Sequence, residues 1–325
     1  MAITSVLIIM FLASCGGASS NPDITLPVET TATTTAKPTY TVSFSGTNKP
    51  TMTVTEGDFI AAPAPPEKAE HIFVGWYLDS AFSRKASFPI EINSDTTVYA
   101  KFYTYAEAFT AARENTVGAS VAGYEYTYKT DLTVSYSALS LKGTTVGKSV
   151  YSTAGNVSFY DKHQNSGALF ADGTVYQIRK GNTLQKISVD KKGNIKSNET
   201  EQVDASYKFD SSSFAKALFA YSDEQLLSVS PTSNKNEYRL QTTFNASSAI
   251  SLLGNNLNNP MVEKAITKLP ETAVDTGMYV IFDGEKIKSY RYEMKINSAG
   301  IQLNLIYELI FDNVGAAQNI IPESF

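Results

Sequence analysis

The sequence predicts an α+β protein with two folded units: a small β module, then a larger, mainly antiparallel β domain interrupted by helices. Three observations carry this expectation. Tyr (19) and Phe (17) are plentiful among 325 residues, and with Thr and Val they fall in runs that alternate apolar and polar positions. Two long C-terminal runs, residues 277–297 and 299–314, keep that alternation with the apolar residues on one side only. Three stretches, 105–116, 211–228 and 248–269, instead space their apolar residues as a helix does.

The chain opens on Val6–Ala13, an apolar run of signal-peptide length, too short to span a bilayer. It ends at Leu12-Ala13-Ser14-Cys15, with Gly16 and Gly17 following. Cys15 is the only cysteine, so it has no internal disulfide partner and no second thiol for a metal site. The four residues resemble the bacterial lipobox, although Met1–Ser5 holds no Lys or Arg. The resemblance implies a signal peptide over residues 1–14 and a diacylglyceryl group on Cys15, which becomes the first residue after cleavage. Two or three acyl chains, each contributing about 0.8 kcal/mol per buried methylene, would tether the chain to a membrane. Residues 15–38 hold the lipidated Cys and a Ser/Thr/Pro/Ala spacer too poor in large apolar residues to fold.

Residues 39–103 change character. YTVSF (40–44) and TMTVT (51–55) alternate as strands, HIFVGWYLD (71–79) reads as another, and TTVYAKF (96–102) as a fourth. Between them stand Gly57 and the cluster Pro63, Pro65, Pro66. Gly57, Pro63, Pro66, Phe73, Gly75, Trp76, Tyr77, Asp95, Tyr99, Ala100 and Lys101 together resemble the Listeria–Bacteroides repeat, also called the internalin B-repeat. The resemblance implies a β-grasp module of bacterial surface proteins, used as an extender or to meet a surface protein or glycan. Trp76 is the only tryptophan and reads as the core anchor of the module rather than a ligand-stacking ring. His71 lacks His, Cys or acidic neighbours at ligand spacing.

From residue 104 the elements run helix, strands, helices, strands. In the first helix Tyr105, Ala108, Phe109 and Ala112 share a stripe. GYEYTYKTDLTVSYS (123–137) sets Tyr124, Tyr126 and Tyr128 on one face, then Leu132, Val134 and Tyr136. Asp172-Gly173, Lys192-Gly193 and Asp283-Gly284 signal hairpins. A helix capped at Ser213 would bury Phe214, Leu218 and Tyr221, and a second would break near Pro260. In the closing strands Tyr290, Tyr292, Met294 and Ile296 share a face, as do Ile301, Leu303, Leu305, Tyr307, Leu309 and Phe311. This order, the terminal Asp283-Gly284 hairpin and the closing FDNVGAAQNIIPES are similar to LolA/LppX-like lipoproteins. The resemblance implies, over residues 104–325, an incomplete antiparallel β-barrel (half-barrel) with plugging helices and an apolar ligand, a lipid or acyl chain.

Net charge is −5 and the pI near 5.2, with basic residues scattered, so nothing tracks a phosphate backbone and no nucleic-acid partner is expected. Beyond the leader no run approaches the roughly 18 apolar residues of a membrane helix. With His71 and His163 only, a His-based triad has few parts, and no calcium-loop or zinc-helix spacing appears. Asp161-Lys162-His163 reads as a solvated turn. The expectation is a non-enzymatic, extracytoplasmic protein without cofactor or metal, anchored to the bacterial membrane through Cys15. Its candidate ligand-binding residues are Tyr292, Met294, Leu303, Leu305 and Tyr307, an uncharged strip suited to a mainly apolar pocket. The alternative is a structural, adhesin-like surface protein in which helices fill the same strip as ordinary core. Alternation is identical in both cases.

Overall fold

The structure, a computed structural model, describes residues 36–204, 226–234, 236–242, 274–298 and 300–324. Cys15 and the helical stretch 248–269 lie outside these, as does 211–228 apart from its last three residues.

The N-terminal sheet has the order β2 (Met52–Thr55), β1 (Thr39–Ser45), β6 (Thr96–Thr104), β4 (His71–Tyr77), with β1 and β6 parallel. A ribbon of β3 (Phe59–Ile60) and β5 (Ile90–Glu91) lies beside it. Val42, Ile92 and Val98, all fully buried, pack with Trp76 into one core. Trp76 anchors it as expected: its ring meets Phe44 and Phe73 edge-on, with centroids 5.8 and 5.3 Å away, and its indole N–H donates to the Pro63 carbonyl at 3.2 Å.

β6 passes straight into α1 (Tyr105–Val117), and Thr104 is both its last residue and the helix N-cap. The Thr104 hydroxyl accepts from the Glu107 N–H at 3.3 Å, while the Glu107 carboxylate accepts from the Thr104 N–H at 2.8 Å. The Thr104 N–H, and then the Thr104 hydroxyl at 2.9 Å, donate to the Glu107 carboxylate and hold it below its ordinary pKa. Ala108, Phe109 and Ala112 are buried, as the stripe predicts.

Among the described residues eleven antiparallel strands follow. They are β7 (Gly123–Tyr136), β8 (Leu139–Ser152), β9 (Phe159–Gly167), β10 (Gly173–Lys180), β11 (Thr183–Val189), β12 (Ile195–Gln202), β13 (Leu226–Pro231), β14 (Glu237–Thr242), β15 (Val274–Asp283), β16 (Lys286–Ser298) and β17 (Ile301–Asp312). Each pairs with its sequence neighbour except at one seam, where β7 pairs with β17 over twelve residues and β12 and β13 become the edges. The sheet is open, which fits a half-barrel.

Strands make up 59% of the described residues, and α1 is the one helix among them, so the fold is more β-rich than α+β suggests. Leu226–Ser228, placed in a helix by their spacing, instead open β13 and pair with β14. Ladder pairing decides the state of so short an apolar run. Gly284, at φ 60°, opens a two-residue loop between Asp283 and Lys286 as its sequence signals. Asp172-Gly173 closes a longer connection, in which the Asp172 carboxylate accepts from the Gly167 N–H at 3.0 Å.

Candidate ligand-binding face

Register assigns the inner face of the large sheet. Rows across β16, β17 and β7 read Tyr290–Leu309–Tyr128, Tyr292–Tyr307–Thr130, Met294–Leu305–Leu132 and Ile296–Leu303–Val134. All twelve side chains are buried, whereas the alternate positions Lys295, Gln302, Asn304 and Glu308 are exposed. The structure thus brings Tyr292, Met294, Leu303, Leu305 and Tyr307 together on one covered face, at 0–2% exposure. The face carries no charge in these rows, and its Tyr rings stand near one another. Tyr128 lies 6.0 Å from Tyr307, and Tyr290 lies 6.5 Å from Tyr307, centroid to centroid. Burial pushes the Tyr124 phenol well above its ordinary pKa, with Tyr151 adding to the shift.

The row through Tyr307 and Tyr292 continues into Met278, Leu240 and Val229. At that end of the sheet Leu240 and Met278 line a cavity of about 420 Å³ together with Ser228, Ser230, Gln241 and Thr276. Its lining is more polar than the strip.

The opposite end of the face holds a polar cluster that the sequence reading misplaced. Asp161 and His163 are not in a solvated turn: they lie in β9, 0% and 9% exposed, and both point inward. The reason is that period-2 alternation reveals a strand only where the inward positions are apolar, and here they are Asp and His. Asp161 is the centre of the cluster. One carboxylate oxygen accepts from the Tyr128 hydroxyl at 3.0 Å and the Ser149 hydroxyl at 2.6 Å, and the other meets His163 Nδ1 at 2.6 Å. Gly147, opposite both Tyr128 and His163, makes room for the phenol, since a Cβ there would stand 2.3 Å from Tyr128 Cζ. Ser149 donates to the carboxylate and not to the imidazole, so the base does not stand between acid and hydroxyl as nucleophilic catalysis requires. The cluster ties β7, β8 and β9 together. Among the described residues no three His, Cys, Asp or Glu side chains group as a metal site.

The closing FDNVGAAQNIIPES segment crosses the outer face. Gly315 N donates to the Gly123 carbonyl at 2.8 Å, Gln318 N to the Ser152 hydroxyl at 2.9 Å, and Lys162 pairs with Glu323. A groove of about 370 Å³ lies beneath, lined by Val150, Tyr160 and Ile320 among others. Burial, and then Glu323, push the Tyr160 phenol to about 12.

No helix among the described residues is long and apolar enough to cross a membrane. A relative from Evansella cellulosilytica that carries a membrane-protein name is 33% identical over 98 residues, 29% of this chain and 14% of that protein. The chain therefore spans about a seventh of that relative's length. A DUF1329 family protein from Desulfovibrio piger is 10% identical, with a TM-score of 0.25 over 65% of this chain and 92% of its own. A LolA superfamily protein from Nitrosomonas europaea is 8% identical, with a TM-score of 0.22 over 68% of this chain and 96% of its own. Residues 40–101, which hold Trp76 and its core, match the family model of the Listeria–Bacteroides repeat domain.

Proposed function

We propose that this protein is a non-enzymatic, extracytoplasmic lipoprotein, tethered to the bacterial membrane through Cys15, whose large sheet binds a lipid or acyl chain on its inner face. One observation carries the reading: the rows through Tyr292, Met294, Leu303, Leu305 and Tyr307 form an uncharged aliphatic and aromatic surface across three strands. The repeat-like module then faces outward to a surface protein or glycan. A second reading, a structural surface element with a closed core, is favoured by the complete burial of Met294 and Leu305. In the binding reading their cover parts to admit the chain.

Native mass spectrometry of the protein purified from its own envelope separates the two. Binding predicts a co-purifying lipid that Leu305→Glu abolishes; an empty protein, or a lipid indifferent to that substitution, refutes it.

A further inference from the structure

We infer that the outer edge of β2 is a self-association surface whose occupant is β2 of a second copy, paired antiparallel about a two-fold axis. β2 is the last strand of its sheet, with β1 on one side and no strand among the described residues on the other. The ladder fixes which backbone groups face outward. Glu56 N donates to the Pro38 carbonyl at 2.8 Å, which makes that a hydrogen-bonded pair. Alternation then gives the same character to Val54–Tyr40 and Met52–Val42. Thr53 is left with its N–H and C=O directed off the edge. Its neighbour Thr41 turns its N–H away from β2 onto Asp95 Oδ1 at 2.7 Å, as the same alternation requires. An outward N–H and C=O beside an exposed strand form a template for another strand.

Beside this edge lies an open groove of about 650 Å³, lined by Phe44, Met52, Val54, Phe59, Ile60 and Pro63 among others. Phe59 is 63% and Met52 42% exposed, so apolar surface flanks the free backbone groups.

Self-complementarity selects the second copy. Antiparallel pairing centred on Thr53 sets Met52 of one copy opposite Val54 of the other, on the same sheet face. Each Met52 thereby lies over the groove of the other copy. The same operation brings Lys49 of each copy beside the Glu56–Asp58 turn of the other, giving two opposite-charge contacts. A four-residue strand buries little area, so the dimer is weak.

Sedimentation equilibrium of the full chain between about 1 μM and 1 mM tests this, a range that covers small transient interfaces. The weight-average mass is expected to rise from 35.3 kDa toward twice that value. Thr53→Pro deletes the outward N–H, and proline is tolerated on edge strands, so association weakens about tenfold or more. Lys49→Glu also weakens it, and adding Asp58→Lys restores it; Trp76 fluorescence reports an intact module in each variant. A monomer throughout the range overturns the inference, as does a dimer indifferent to Thr53→Pro and Lys49→Glu. A monomer whose Thr53 amide shifts with an added β-strand peptide assigns the edge to another partner and overturns it too.

Discussion

Replacing Asp161 by leucine tests whether the inward polar cluster holds β7, β8 and β9 together. The carboxylate is fully buried and accepts from Tyr128 and Ser149 while meeting His163 Nδ1 at 2.6 Å. Removing it takes this acceptor from three buried groups at once. A stranded buried donor costs about 1–3 kcal/mol, and more where its partner was a carboxylate. The three losses share one site and relax together, so about 3–5 kcal/mol is the expected total. For a domain of this size each kcal/mol lowers Tm by about 2–4 °C, so Asp161→Leu should melt roughly 6–20 °C below the parent. Asp161→Asn keeps one acceptor oxygen and should lose about half as much. The asymmetry of buried polar groups gives a sharper expectation: adding Tyr128→Phe, Ser149→Ala and His163→Leu to Asp161→Leu should recover much of the loss, because no donor is then stranded. Thermal melts followed by far-UV circular dichroism read all of these. An Asp161→Leu variant melting within about 2 °C of the parent would refute the reasoning, and a quadruple variant no more stable than the single one would refute its mechanism.

Trp76→Ala should unfold the small module at a cost of about 3–5 kcal/mol, seen as new protease cleavage within residues 40–101 while the large sheet stays intact. Gly147→Ala should cost about 1–3 kcal/mol in urea unfolding, because its Cβ would meet the Tyr128 ring at 2.3 Å; an unchanged midpoint would show that the phenol has room to move. The Tyr160 phenol, raised to about 12, favours the folded state while protonated, so its contribution is complete below pH 10 and is lost as pH rises from 10 to 12. Phenolate absorbance at 295 nm should lose a late-titrating component in Tyr160→Phe, and loss of one near pH 10 instead would contradict the half-buried placement beneath the closing segment. Labelled palmitate should be incorporated by the native chain and not by Cys15→Ala; equal labelling removes the anchor from the proposal.

Parts of this fold were legible because period-2 alternation and burial coincide. Tyr290–Ile296 and Leu303–Phe311 could be assigned to one face because their inward positions are all apolar, while Arg291, Glu293, Lys295, Asn304 and Glu308 mark the outward side. Trp76 could be placed in a core because a lone large ring among strands has few other uses. The polar end of the same face was not legible, since Asp161, His163 and Ser149 look like surface residues until β8 and β9 bring them together. Nor was the seam: β7 meets β17 across most of the domain, and no local signal records so distant a pairing. The closing segment read as a family phrase, yet its physical role is a strap over the outer face, held by its own N–H groups donating to the Gly123 carbonyl and the Ser152 hydroxyl.

How the two units are joined bears on how a partner at the module could influence the sheet. The visible ion pair between them, Lys85 to Glu285 at 3.5 Å, involves side chains 55% and 37% exposed, and such pairs contribute little. The stronger connection is covalent and helical. Thr104 ends β6 and caps α1, leaving no linker to act as a hinge. α1 is then fixed to the large sheet: the Ile287 N–H donates to the Thr116 hydroxyl at 2.8 Å in a buried bond, and the Asn115 side chain reaches the Glu285 carbonyl at 3.1 Å. Phe109 and Ala112 of the same helix are buried in the core that holds Tyr292 and Leu305. Turning the module against the sheet would therefore break a capping box and pull apolar side chains from that core, whereas breaking the surface ion pair costs almost nothing. Lys85→Ala should leave the melting of both units unchanged. Thr104→Ala removes the cap and should cost about 1 kcal/mol, destabilising α1 from its first turn. If Lys85→Ala proves the more damaging of the two, the joint is electrostatic and the helical account is wrong.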